Sequence, residues 1–186
     1  MRKMDKMKEM DKMKEMDKMR KMDNIILIGM PGSGKSTSGI LLAKSLGLSF
    51  MDTDLLIQQQ EGMLLQDLAD SAGFSGFIEI EEKIISQIQV SKCVISTGGS
   101  VVYGEKSMAH LKDIGIIVFL DVTFPEIMRR IQNISTRGIA LKEGQSLENL
   151  YEERRPLYEK YADITVSGDG KTIEELVTEI AENLQK

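Results

Sequence analysis

Short apolar runs alternate with amphipathic stretches along most of this chain. Asn24 to Gly29 (NIILIG) is a continuous apolar run closed by glycine, the pattern of a buried strand. Ser36 to Leu46 then predicts a helix, with Ile40, Leu41 and Leu42 among its apolar positions and Gly47 as its stop. Leu48 to Met51 predicts a second strand, and a helix opens near Asp54. Phe74 to Gln89 predicts a longer helix, with Phe77, Ile80, Ile84, Ile85 and Ile88 on related faces. Cys93 to Ser96 is a third strand ending at Thr97-Gly98-Gly99, Lys106 to Lys112 a short helix, and Ile114 to Leu120 a fourth strand. Helices over Phe124 to Gln132 and Leu147 to Tyr161, a strand over Ile164 to Val166 and a helix over Thr172 to Leu184 complete the pattern. Residues 133–146 form the one irregular stretch long enough for a lid.

Strands spaced by helices imply an α/β fold, a parallel sheet covered on both faces. Ligands of such sheets gather beyond the carboxyl ends of the strands. The chemistry-bearing residues of this chain cluster there.

The first 23 residues break the alternation. Methionine recurs at every third position from Met1 to Met22, and the unit MDKMKE repeats almost unchanged. A period of three slips around a helix of about 3.6 residues per turn, so no lasting apolar face forms. The segment carries nine basic and six acidic residues, a net +3 against −8 for the remainder. It reads as a solvated, partly helical extension, with a docking or membrane-surface helix as the alternative. No chemistry is assigned to it. The division is therefore an extension over 1–23 and one domain over 24–186.

Composition narrows the class. The chain has 186 residues, 41% hydrophobic and 28% charged, which suits one soluble domain. No run of about 18 apolar residues is present, so no membrane span is expected. One cysteine, Cys93, excludes a disulfide framework and a Cys-rich metal site, and suggests the cytoplasm. A net charge of −5 argues against a nucleic-acid partner. His110 and Cys93 are read as an exposed or capping residue and as core packing.

The strongest motif is Gly29-Met30-Pro31-Gly32-Ser33-Gly34-Lys35-Ser36, which fits G-x-x-x-x-G-K-[ST] between a strand and a helix. The glycines let several backbone N–H groups face one anion, and the helix adds its positive end. Lys35 would neutralise the outer phosphates and Ser36 would ligate Mg²⁺, so the chain binds a nucleoside triphosphate. Asp52-Thr53-Asp54 closes the second strand beside it. One carboxylate would hold Mg²⁺ through water and the other would accept a proton from a hydroxyl, unless Asp54 serves as a helix cap. Thr97-Gly98-Gly99-Ser100 would let a ligand approach the backbone. Arg137 in the lid would steady transferring charge, and Arg154 or Arg155 would clamp an acidic substrate.

The phosphate loop, FMDTD (Phe50 to Asp54), GFIEIEEKII (Gly76 to Ile85), STGGS (Ser96 to Ser100) and ERRPLYEKYAD (Glu153 to Asp163) resemble shikimate kinases in order and spacing over residues 24–184. The resemblance implies a P-loop kinase fold with a five-stranded parallel sheet and a lid, using ATP and Mg²⁺. It implies that Gly32, Ser33, Gly34, Lys35, Ser36 and Thr37 hold the triphosphate, and that Ser36 and Asp52 serve the metal. It further implies Asp54 as base and hydroxyl ligand, and Gly98 and Gly99 in the acceptor pocket. Arg130 would lie near the adenine, Arg137 on the phosphates and Arg154 on the acceptor's carboxylate.

The departures lie on the acceptor side. Phe77 is followed by Ile78 where the family has an arginine for the same carboxylate, a loss worth on the order of 2 kcal/mol. Ser100 stands for the third glycine of the turn, Arg137 is followed by Gly138 rather than proline, and Asp169-Gly170-Lys171 replaces an adenine-contacting arginine. The expected activity is phosphoryl transfer from ATP to a small hydroxylated acid, shikimate first, by a monomer. The alternatives are a kinase of another polyol or sugar acid, and a nucleotide-binding regulator without transfer activity.

Overall fold

The computed structural model describes residues 23–131, 142 and 144–185. The 1–22 repeat, Arg137 and most of the lid stretch lie outside these residues. Strand β1 (Asn24–Ile28) is buried along its whole length, as a continuous apolar run requires. It is followed by α1 (Lys35–Leu46), β2 (Ser49–Asp52), α2 (Thr53–Glu61) and α3 (Leu65–Ile85). Strand β3 (Cys93–Ser96) leads through a 3₁₀ turn (Val101–Tyr103) into α4 (Glu105–Ile114). Then come β4 (Gly115–Asp121), α5 (Phe124–Arg130), α6 (Leu147–Tyr161), β5 (Ile164–Ser167) and α7 (Ile173–Asn183).

The strands pair in parallel in the order β2-β3-β1-β4-β5. β1 and β3 are neighbours, but the chain leaves them toward opposite sides of the sheet, so the loops after them open a crevice. Alternate residues of β1 serve the two faces. Ile26 and Ile28 join Ile95, Met108, Phe119 and Tyr158 on one, and Ile25 and Leu27 join Leu42, Val118 and Ile180 on the other. The Asn24 amide pins the start of the sheet, donating to the carbonyls of Val90 and Ile114 at 2.9 Å while its oxygen accepts from the Cys93 amide at 3.1 Å.

Three readings from the sequence change. Ile40 is 51% exposed, because α1 turns Ser38, Gly39, Leu42 and Ala43 to the sheet. A β-carbon on Gly39 would lie 2.8 Å from the Phe50 ring, so small residues set how closely this helix approaches. Helix α3 begins at Leu65, ahead of the predicted Phe74, and kinks at Gly73 (φ 66, ψ 178), the residue that mimics a helix boundary in the sequence. His110 is half-buried, its Nε2 lying 2.8 Å from the Ile88 carbonyl, and so ties α4 to the segment after α3.

Candidate active site

The site begins where β1 stops. Gly32 (φ 83) and Gly34 (φ 96) take left-handed conformations that curl the loop, and Gly34 caps α1. The Ser33 amide donates to the Met30 carbonyl at 3.1 Å, which closes the turn. Lys35 is buried and its ammonium donates to the carbonyls of Gly29 at 2.8 Å and Met30 at 2.9 Å. This crossing holds the cation over the loop with the first amides of α1 beside it, the arrangement an anion needs. Ser36 and Thr37 stand exposed at the head of α1 and line a cavity of about 380 Å³.

Ser36 Oγ donates to Asp52 Oδ2 at 2.7 Å and lies 3.1 Å from Ser96 Oγ. The other Asp52 oxygen accepts from the amides of Asp54 at 3.0 Å and Leu55 at 3.4 Å. Asp52, still extended at φ −112 and ψ 120, is therefore the N-cap of α2. The cap reading considered for Asp54 falls, because Asp54 sits inside the first turn. Ser36 and Asp52 present hard oxygen donors of the type Mg²⁺ takes, few in number as expected when the ion draws its remaining ligands from phosphate and water. Among the described residues no group of three or more His, Cys, Asp or Glu is placed to hold a metal ion.

Asp54 lines the cavity with Oδ1 buried and without a hydrogen-bond partner. Burial, then repulsion from Asp52, pushes its carboxyl up to about 6, and the Lys35 charge acts in the opposite direction. A second acid was missed in the sequence. Glu81 is 2% exposed, and its Oε1 also lacks a partner. Burial raises this carboxyl to about 8, opposed by the Ser100 hydroxyl. Its signal was available: Glu81 lies four residues from Phe77 and from Ile85 on the buried stripe of α3, where an unpaired acid is costly.

The Gly-Gly turn brings these groups together. A β-carbon on Gly98 would meet Asp54 Oδ1 at 2.6 Å and Glu81 Oε1 at 2.8 Å. One on Gly99 would meet the Pro31 ring at 2.8 Å and Arg154 Nη1 at 3.0 Å. The turn is held by the Gly98 amide donating to Thr53 Oγ1 at 3.1 Å and by the buried Tyr158 hydroxyl donating to the Gly99 carbonyl at 2.6 Å.

Of the arginines, Arg154 is 1% exposed and lines the cavity, with Nε donating to the Tyr103 hydroxyl at 3.4 Å. Arg155 points elsewhere and pairs with Asp121 at 3.0 Å and Glu159 at 3.2 Å. Arg130 also lines the cavity, donating to the carbonyls of Gly168 at 2.7 Å and Ser33 at 3.4 Å. Ile78 packs with the Ile57–Leu65–Phe77 cluster between α2 and α3, and Phe77 beside it faces the cavity. Asp169 accepts from the Thr123 amide and Lys171 donates to the Ser167 carbonyl at 2.9 Å, so both serve the loops around β5.

The family model for shikimate kinase matches residues 31–185. The chain belongs to the shikimate kinase family. A shikimate kinase of Sulfurihydrogenibium sp. is 36% identical over 164 residues, covering 88% of this chain and 98% of the relative. The crystal structure of shikimate kinase from Aquifex aeolicus superposes with a TM-score of 0.73 at 36% identity, over 87% of this chain and 96% of that one. Shikimate kinase from Acinetobacter baumannii in complex with shikimate gives 0.82 at 27% identity, over 89% and 94%. As a shikimate kinase family member the chain is an ATP-using phosphotransferase that acts on a hydroxyl group, and the five-stranded parallel sheet is the expected one.

Proposed function

We propose that this chain transfers the terminal phosphoryl group of ATP to a hydroxyl of shikimate. The observation that carries the reading is the unpartnered Asp54 carboxylate, which shares one cavity with Lys35 and Arg154. The loop from Gly32 to Thr37 would hold the triphosphate, with Lys35 serving its outer phosphates and Arg130 the base. Ser36 and Asp52 would hold Mg²⁺, which would supply charge neutralisation when bound. Arg154 takes the acceptor's carboxylate and the Gly98-Gly99 turn lets its ring approach. Asp54 Oδ1 accepts the proton of the attacking hydroxyl, and Arg137 steadies the charge that develops.

The buried free thiol of Cys93 suits a reducing compartment, the cytoplasm. One observation favours a different acid or polyol as acceptor: Ile78 is committed to an apolar cluster and offers no cation.

The test is ADP release from Mg-ATP with shikimate, for the native chain and Asp54→Asn. Saturable, shikimate-dependent turnover is expected, with kcat reduced by about 10²-fold or more in the variant. ADP release that ignores shikimate, or an unaffected Asp54→Asn, overturns the reading.

A further inference from the structure

Around Arg154 lies an aromatic frame that the catalytic scheme does not use. The guanidinium carbon stands 5.1 Å from the centroid of the Tyr103 ring, and Nε donates to the Tyr103 hydroxyl at 3.4 Å. Tyr103 is fixed in turn by Phe74, edge-on at 5.3 Å and 77°. Phe74 reaches this position because α3 kinks at Gly73 immediately before it. From the other side, Lys142 Nζ sits 5.3 Å from the Phe74 centroid and 6.0 Å from that of Tyr103, and donates to Glu153 Oε1 at 2.7 Å. Gln145 donates to the second Glu153 oxygen at 2.7 Å. Burial raises the Tyr103 phenol above its ordinary value, so the ring remains neutral under a cation.

We propose that Tyr103 is a positioning residue that orients Arg154 for the carboxylate of the acceptor. The inference rests on the acceptor reading above. A guanidinium gains most from a carboxylate when its planar fork is aligned with both oxygens. Two cations can share that task loosely, whereas a single one must be aimed. Ile78 supplies no second cation. The Tyr103 ring face and hydroxyl together restrain the fork, and Nη1 lies at the Gly99 wall of the cavity. Ordering the side chain before binding removes an entropic cost from the bound state. The long Nε–hydroxyl distance assigns most of the effect to the ring face rather than to the hydroxyl.

The test measures how strongly the full chain prefers shikimate over its methyl ester, by calorimetric titration. The ester keeps every hydroxyl and loses only the carboxylate charge. Tyr103→Leu is expected to reduce the acid-to-ester affinity ratio by about tenfold, while ATP affinity stays within about twofold. Tyr103→Phe, which retains the ring, is expected to keep the ratio within about threefold. Thermal melting establishes that each variant is folded, and Tyr103→Met serves in the same role if the leucine variant is not. An unchanged ratio in a folded leucine or methionine variant overturns the Tyr103 assignment alone. A native chain that binds neither acid nor ester overturns the acceptor reading, and this inference with it.

Discussion

A β-carbon placed on Gly98 would stand 2.6 Å from Oδ1 of Asp54. The same atom would stand 2.8 Å from Glu81 Oε1, so one missing side chain leaves room for two buried carboxyls. Gly98→Ala is expected to displace Asp54 and lower kcat by about tenfold or more. Stability should fall by about 1–3 kcal/mol, the usual cost of overfilling a packed site. Steady-state kinetics and thermal melting of the alanine variant check both figures.

Asp52 has two tasks that one substitution separates. Asparagine caps a helix about as well as aspartate, so Asp52→Asn keeps the bonds to the Asp54 and Leu55 amides. The charge beside Ser36 is lost. The expected outcome is an unchanged melting temperature with a raised Mg²⁺ concentration at half-maximal activity. A magnesium titration of activity, beside a melt of each protein, reads both.

Asp54 accepts a proton only when ionised. With its carboxyl pushed up to about 6, kcat/KM should fall about tenfold per pH unit below that value and level off above it. A pH–rate profile checks the position of the bend. An inflection near the ordinary 3.8 would show that the Asp54 carboxyl is not desolvated.

Glu81 makes a separate contribution to stability, of the same sign as that of Asp54 but reaching to higher pH. Its carboxyl titrates near 4.5 in the unfolded chain and near 8 when folded, so the native state binds more protons across that window. Stability therefore falls as pH rises from 4.5 to 8, by an amount on the order of a few kcal/mol, and is flat above. Between pH 6 and 8 the Asp54 contribution is already spent, which isolates Glu81. Glu81→Gln should remove most of the slope in that interval, as read by denaturant unfolding at several pH values.

Deleting residues 1–21 should leave kcat within about tenfold, a barrier change below about 1.4 kcal/mol. The phosphate loop and every residue that lines the cavity lie after the repeat, and the shortened chain begins at Met22. Kinetics of the shortened chain decide this.

Much of the fold was legible because a buried parallel strand has a simple signature. NIILI and CVIS are uninterrupted apolar runs, and the structure places both in the middle of the sheet. The phosphate loop was equally plain, since Gly32 and Gly34 occupy left-handed conformations that few other residues accept. The inner face of α1 was misread, because Gly39 and Ser38 pack by smallness rather than hydrophobicity. The start of α3 was hidden by Gly73, which kinks that helix without ending it. Glu81 was visible as an acid on the apolar stripe of α3, but its meeting with Gly98 was not, nor was that of Tyr103 with Arg154. Spacing along the chain does not encode such encounters.

Acceptor choice is where the cavity's chemistry is tested most directly. The direct measurement is kcat/KM for shikimate beside a panel of sugar acids and neutral polyols, at fixed Mg-ATP. Arg154 over the Tyr103 ring, in one cavity with Asp54, predicts that shikimate exceeds every other acceptor by about 100-fold or more. A sugar acid or polyol turned over faster than shikimate would contradict it, and would make Ile78 the mark of a changed specificity.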